Sequence, residues 1–165
     1  MRDDTLLVVN EAEVETFSIA REGSDGYVLA KRLIDPETSG SQRAIVLVVE
    51  TPPGQTALIP PHLHRGYEET MYVLSGRGTY RAGRTPDELQ SLPIALGSCL
   101  YMPADYYHQL QTEGAEPLKL VVSYFCIYVG ARQVAPRDRS GANEPPLPRC
   151  LWLAVGRLGA VLAIV

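Results

Sequence analysis

Pro61-His62-Leu63-His64-Arg65-Gly66-Tyr67-Glu68-Glu69-Thr70-Met71-Tyr72-Val73-Leu74-Ser75-Gly76 is the stretch whose reading decides the fold. Pro60 and Pro61 exclude a helix and hold the backbone extended. His62 and His64 stand one residue apart, so in a strand both imidazoles leave the same face. A polar turn, Arg65 to Tyr67, leads to Glu69 and an apolar run that ends at Gly76, where the chain must turn sharply. Two imidazoles and a carboxylate converging from adjacent strands make most of a metal site. Such donors suit Zn, Fe, Mn, Ni or Cu, and no thiolate points to a closed structural zinc site. Glu68 is the rival carboxylate, but period two turns it to the opposite face from Glu69.

Gly97-Ser98-Cys99-Leu100-Tyr101-Met102-Pro103-Ala104-Asp105-Tyr106-Tyr107-His108 reads as turn, short strand, turn, strand. The first stretch resembles cupin motif one, G-x5-H-x-H-x(3,4)-E-x6-G, and the second resembles motif two, G-x5-P-x-G-x2-H-x3-N. The resemblance covers roughly Gly54 to Thr112. It implies His62, His64, Glu69 and His108 as ligands of one divalent metal ion (Zn, Fe, Mn or Ni), with Gly97 and Pro103 as turn residues. Gly54 lies two residues too far from His62, Asp105 stands in place of Gly, and Thr112 stands in place of Asn. None of these departures touches a ligand position. All 3 histidines of the chain fall on the histidine positions of this two-part motif.

A chain of 165 residues with 45% hydrophobic content suits one globular domain with a real core. The net charge of −4 and scattered basic residues do not suggest nucleic-acid binding. Cys99, Cys126 and Cys150 form no disulfide framework and read as buried, reduced thiols of a cytoplasmic protein. The charged opening Met1-Arg2-Asp3-Asp4 does not read as a signal peptide.

Along the chain, strands are expected at Thr5 to Val9, Thr16 to Ala20, Tyr27 to Ile34, and Ala44 to Glu50, the last buried on both faces. Gly23 to Gly26 reads as a turn, Asp35 to Gly40 as a loop, and Thr56 to Ile59 as extended chain. Further strands are expected at Glu69 to Leu74, Gly78 to Arg81, Cys99 to Met102, His108 to Thr112 and Leu118 to Val129, with a polar insert over Arg84 to Leu92. Many short strands between Gly/Pro turns argue an all-β jelly-roll barrel, and no repeat indicates a second module. The barrel with its N-terminal strands is assigned to residues 1–134 and a Pro/Arg-rich linker to 135–149. The apolar segment 150–165 carries Arg157 and is short for a membrane span; it reads as an amphipathic or buried helix against the barrel or a partner subunit.

Met71, Val73 and Leu110 share parity with the ligands and are expected to line an apolar pocket. Tyr101, Tyr106, Tyr107 and Tyr124 are further pocket candidates, against the plainer reading that each packs in the core or at the rim. Tyr72 shares parity with Glu68 and faces away. The resemblance implies a metal-dependent enzyme for a small enolisable or aromatic substrate, similar to bacterial polyketide cyclases or to cupin dioxygenases such as quercetinases. A non-catalytic metal- and ligand-binding cupin is the competing class. A homodimer through sheet edges is expected, and a membrane association is not.

Overall fold

The computed structural model describes residues 7–20, 26–41, 43–53 and 60–126. After a short 3₁₀ turn at Glu11–Glu13 come nine strands among the described residues: β1 Phe17–Ala20, β2 Tyr27–Ile34, β3 Ala44–Thr51, β4 Tyr67–Ser75, β5 Arg77–Gly83, β6 Gln90–Ala95, β7 Cys99–Met102, β8 Tyr107–Thr112 and β9 Leu118–Cys126. They form a six-stranded sheet in the order β1-β2-β3-β9-β4-β7 and a three-stranded sheet in the order β6-β5-β8. Every pairing is antiparallel. This is the jelly roll expected from the sequence.

The core sits between the two sheets, and its rows follow from period-two alternation. Val49, Leu120 and Val73 lie side by side on β3, β9 and β4, and Leu120 and Val73 are wholly buried. The next row is Leu47, Val122, Met71 and Leu100. From the small sheet, Tyr80 and Ile94 close over these rows. One step further along is the row Ile45, Tyr124, Glu69 and Met102. There the barrel interior changes from apolar to polar, and the candidate site begins.

Two turns hold this geometry. Gly76, between β4 and β5, has φ 78°, and a Cβ there would collide with the Pro117 carbonyl. Asp105 has φ 63° and is the sole non-glycine residue with positive φ among those described. Its carboxylate Oδ1 accepts the Gly66 N–H at 3.1 Å, and its own N–H donates to the His64 carbonyl at 3.4 Å. Aspartate is thus tolerated where the motif has glycine, and it ties the second motif's turn to the first. Thr112, in place of Asn, has a comparable structural use: its hydroxyl donates to Thr51 Oγ1 at 2.7 Å, and Thr51 donates to the Leu118 carbonyl at 3.1 Å.

Several expectations are corrected. Residues 7–9 form no strand, and Val8 is almost fully exposed. The polar insert is shorter than expected, because β6 begins at Gln90. Pro93 hides this strand in the sequence; it is tolerated because β6 is an edge strand and needs no inward N–H there. Cys99 is an exposed free thiol rather than a buried one, since it lies beside Tyr72 on the outer face of β4 and β7. Thr56 to Ile59, residues 127–165 and the turn near Gly23 to Asp25 lie outside the described residues.

Candidate metal centre

His62 and His108 exchange both backbone hydrogen bonds across an isolated antiparallel bridge, with N–O distances of 3.1 and 2.7 Å. Such a pair sets its two side chains next to each other on one face. The ring centroids are 4.2 Å apart. His64, two positions along, reaches the same space, 5.2 Å from His62 and 5.1 Å from His108 between ring centroids. One ligand atom of each histidine lies within 4.8 Å of the others, close enough for the three to be drawn around a single ion. Three histidines here could hold a metal.

Glu69 enters from β4, fully buried. Its Oε2 faces His108 Nε2 at 3.4 Å and His64 Nε2 at 4.0 Å. Burial pushes its carboxyl up to about 8, against an opposing hydrogen bond from Tyr124. A cation at the cluster would reverse this, because a nearby positive charge favours the ionised carboxylate. His62 Nδ1 lies 3.1 Å from the Pro60 carbonyl, which can only accept. That assigns the proton to Nδ1 and presents Nε2 as a donor pair, a common arrangement for a metal-ligating imidazole. The three histidines therefore fit a divalent ion, with the Glu69 carboxylate beside two of them. Glu68 points outward and accepts the Tyr101 hydroxyl at 2.9 Å.

The pocket candidates divide. Tyr124 faces inward, its ring edge-on to His64 at 4.9 Å, and burial and the Glu69 charge hold its phenol well above the usual range. Met71 and Val73 have the expected inward parity but form the packed floor rather than an open pocket wall. Leu110 and Tyr106 pack against that core, with the Arg84 guanidinium 5.1 Å above the Tyr106 ring. Tyr107 alternates with the inward His108 and so turns to the other face. Tyr101 does not reach the site: it pairs with Thr70 on the outer face and is 60% exposed. Tyr80 was not among the sequence candidates. It is buried on β5 with its ring centroid 6.2 Å from His108, and burial together with the Glu69 charge raises its phenol above the usual range.

Two packed antiparallel sheets with histidines and a carboxylate gathered at one end of the interior between them define a double-stranded β-helix with a built-in donor cluster. Residues 47–124 match the family model of the cupin domain, and the chain carries a cupin domain over those residues. No curated protein matches the sequence. Among solved structures, it resembles a predicted oxalate decarboxylase from Thermotoga maritima, with TM-score 0.62, 21% identity, and coverage of 73% of this chain and 100% of the other. It also resembles the polyketide cyclase RemF from Streptomyces resistomycificus, with TM-score 0.61, 22% identity, and coverage of 74% and 80%. Fe(II)-HppE with an alternative substrate is similar at TM-score 0.62 and 17% identity, covering 74% of this chain and 62% of that one. At these identities the likeness is one of fold. No helix among the described residues is long and apolar enough to cross a membrane.

Proposed function

We propose that this cupin is a metal-dependent enzyme acting on a small enolisable or aromatic, polyketide-like molecule. The observation that carries the reading is the convergence of three histidine donor atoms within 4.8 Å, with buried Glu69 beside them. A divalent cation held there would polarise a carbonyl oxygen and stabilise the enolate that develops from it. The chain's own residues supply the rest. Tyr124 hydrogen-bonds Glu69 and fixes its orientation. Met71, Met102 and Val122 pack as an apolar floor that excludes water from that side, which suits a hydrophobic substrate. The fold shared with a polyketide cyclase and an oxalate decarboxylase supports the reading only as analogy.

A dioxygenase of quercetinase type is the alternative reading, since the same donors accept redox-active ions. The test is to strip the protein of metal, reload it separately with Zn, Mn, Fe, Co and Ni, and assay enolisable aromatics anaerobically and in air. Turnover with Zn and without dioxygen supports the redox-neutral reading. Activity confined to Fe or Ni in air moves the protein to the oxygenases, because Zn has no redox chemistry. Ligand recovered unchanged under every condition makes it a binding cupin. We further propose a homodimer: among the described residues β1 and β7 are the edge strands of the large sheet, and such edges need covering.

A further inference from the structure

Tyr80 lies in the middle strand of the small sheet, between Leu92 on β6 and Leu110 on β8. Ala82, two residues on, pairs with His108, so Tyr80 projects from the same inward face as His108. The residue is 2% exposed. Its hydroxyl is buried and makes no hydrogen bond to any described group. A buried tyrosine hydroxyl ordinarily finds a partner, and a phenylalanine would fill the same space without the cost of desolvating an oxygen. The ring lies 6.2 Å from that of His108 between centroids, tilted by 34°, and the Glu69 charge acts on its phenol. A buried, unpartnered donor on the same inward face as His108 is placed to meet an oxygen atom bound beside the histidine cluster.

We propose that Tyr80 donates a hydrogen bond to an oxygen atom of the small molecule bound beside the histidine cluster. It contacts the ligand and does not hold the cation. The phenol is protonated at neutral pH and is therefore a donor to an enolate, carboxylate or hydroxamate oxygen. A site built around such a donor also selects against analogues that lack the oxygen. The inference rests on the metal-site reading above.

The experiment loads wild type, Tyr80→Phe and the control Tyr101→Phe with Co(II), measures bound metal, and titrates each with acetohydroxamate, a small oxygen-donor chelator, by visible absorption. Each is expected to hold the same amount of Co(II). Tyr80→Phe should bind acetohydroxamate about five- to tenfold more weakly, the loss of one hydrogen bond, while Tyr101→Phe matches wild type. Metal-free Tyr80→Phe should melt no lower than wild type, because the removed hydroxyl bonds no described group. Equal acetohydroxamate affinity with equal Co(II) overturns the Tyr80 assignment and leaves the metal reading standing, as does a wild type that takes Co(II) but not the chelator. Reduced Co(II) uptake or a lower melting temperature in Tyr80→Phe also overturns it, by making the hydroxyl a cation ligand or a structural group. A wild type that takes up no Co(II) refutes the metal reading and the Tyr80 assignment together.

Discussion

Asp105 offers a graded test of how the two motifs are held together. Its left-handed backbone, φ 63°, is one that alanine adopts at a cost of about 1–2 kcal/mol and glycine adopts freely. Its carboxylate accepts the N–H of buried Gly66 at 3.1 Å. Asp105 is itself exposed, so solvent screening places this bond in the ordinary range for a net hydrogen bond, at about 1–1.5 kcal/mol. Asp105→Ala loses the bond and keeps a strained backbone without local polar compensation, for a total of about 2 kcal/mol. Asp105→Gly loses the same bond but relieves the backbone, leaving a cost of about 0.5 kcal/mol or less. Asp105→Asn retains an acceptor and a tolerant backbone and should lie within about 0.5 kcal/mol of wild type. Urea unfolding at pH 7, with equal slopes required across the series, reads these differences directly. Gly66, whose N–H the Asp105 carboxylate accepts, lies two residues after His64, so Asp105→Ala should also weaken Zn(II) binding, and Asp105→Asn should not. An alanine variant as stable as the glycine variant would refute the reasoning.

Two further outcomes follow from buried polar groups. Thr51→Val should cost about 1–3 kcal/mol in urea unfolding, because it strands the Thr112 hydroxyl; adding Thr112→Val should recover part of that loss, and strict additivity would contradict the hydrogen-bond chain. In metal-free protein the Glu69 carboxyl is raised from 4.5 to about 8, so between those values the folded state holds a proton that the unfolded state has lost, and stability falls as pH rises. Glu69→Gln should remove that component: the wild-type-minus-variant difference in unfolding free energy should decline from pH 5 to pH 8.5, and a flat difference would contradict it.

Most of the fold and the donor cluster were legible because their signals are local. Histidine spacing and strand parity separated Glu69 from Glu68 and turned Tyr72 outward, where it is 47% exposed. The Gly76 turn was readable for the same reason. What was missed depends on which strands become neighbours. Tyr80 lies outside both motifs, and only the β5–β8 register brings it near His108. Tyr101 stands in the same stretch as His108, yet the pairing of Thr70 with Tyr101 puts it on the outer face. The strand around Pro93 breaks local propensity and is permitted only by its edge position. The inward Met71 and Val73 had the correct parity, but packing depth along the barrel decides between floor and wall.

The central claim is that His62, His64, Glu69 and His108 together bind one divalent metal ion inside the barrel. The most direct test is elemental analysis of tag-free protein purified without chelator, incubated with Zn(II) and desalted, for wild type and the His64→Ala/His108→Ala double variant. Circular dichroism verifies that both are folded. The account predicts about one equivalent of metal in wild type and almost none in the folded double variant. Full occupancy in the double variant, or none in wild type, would contradict it.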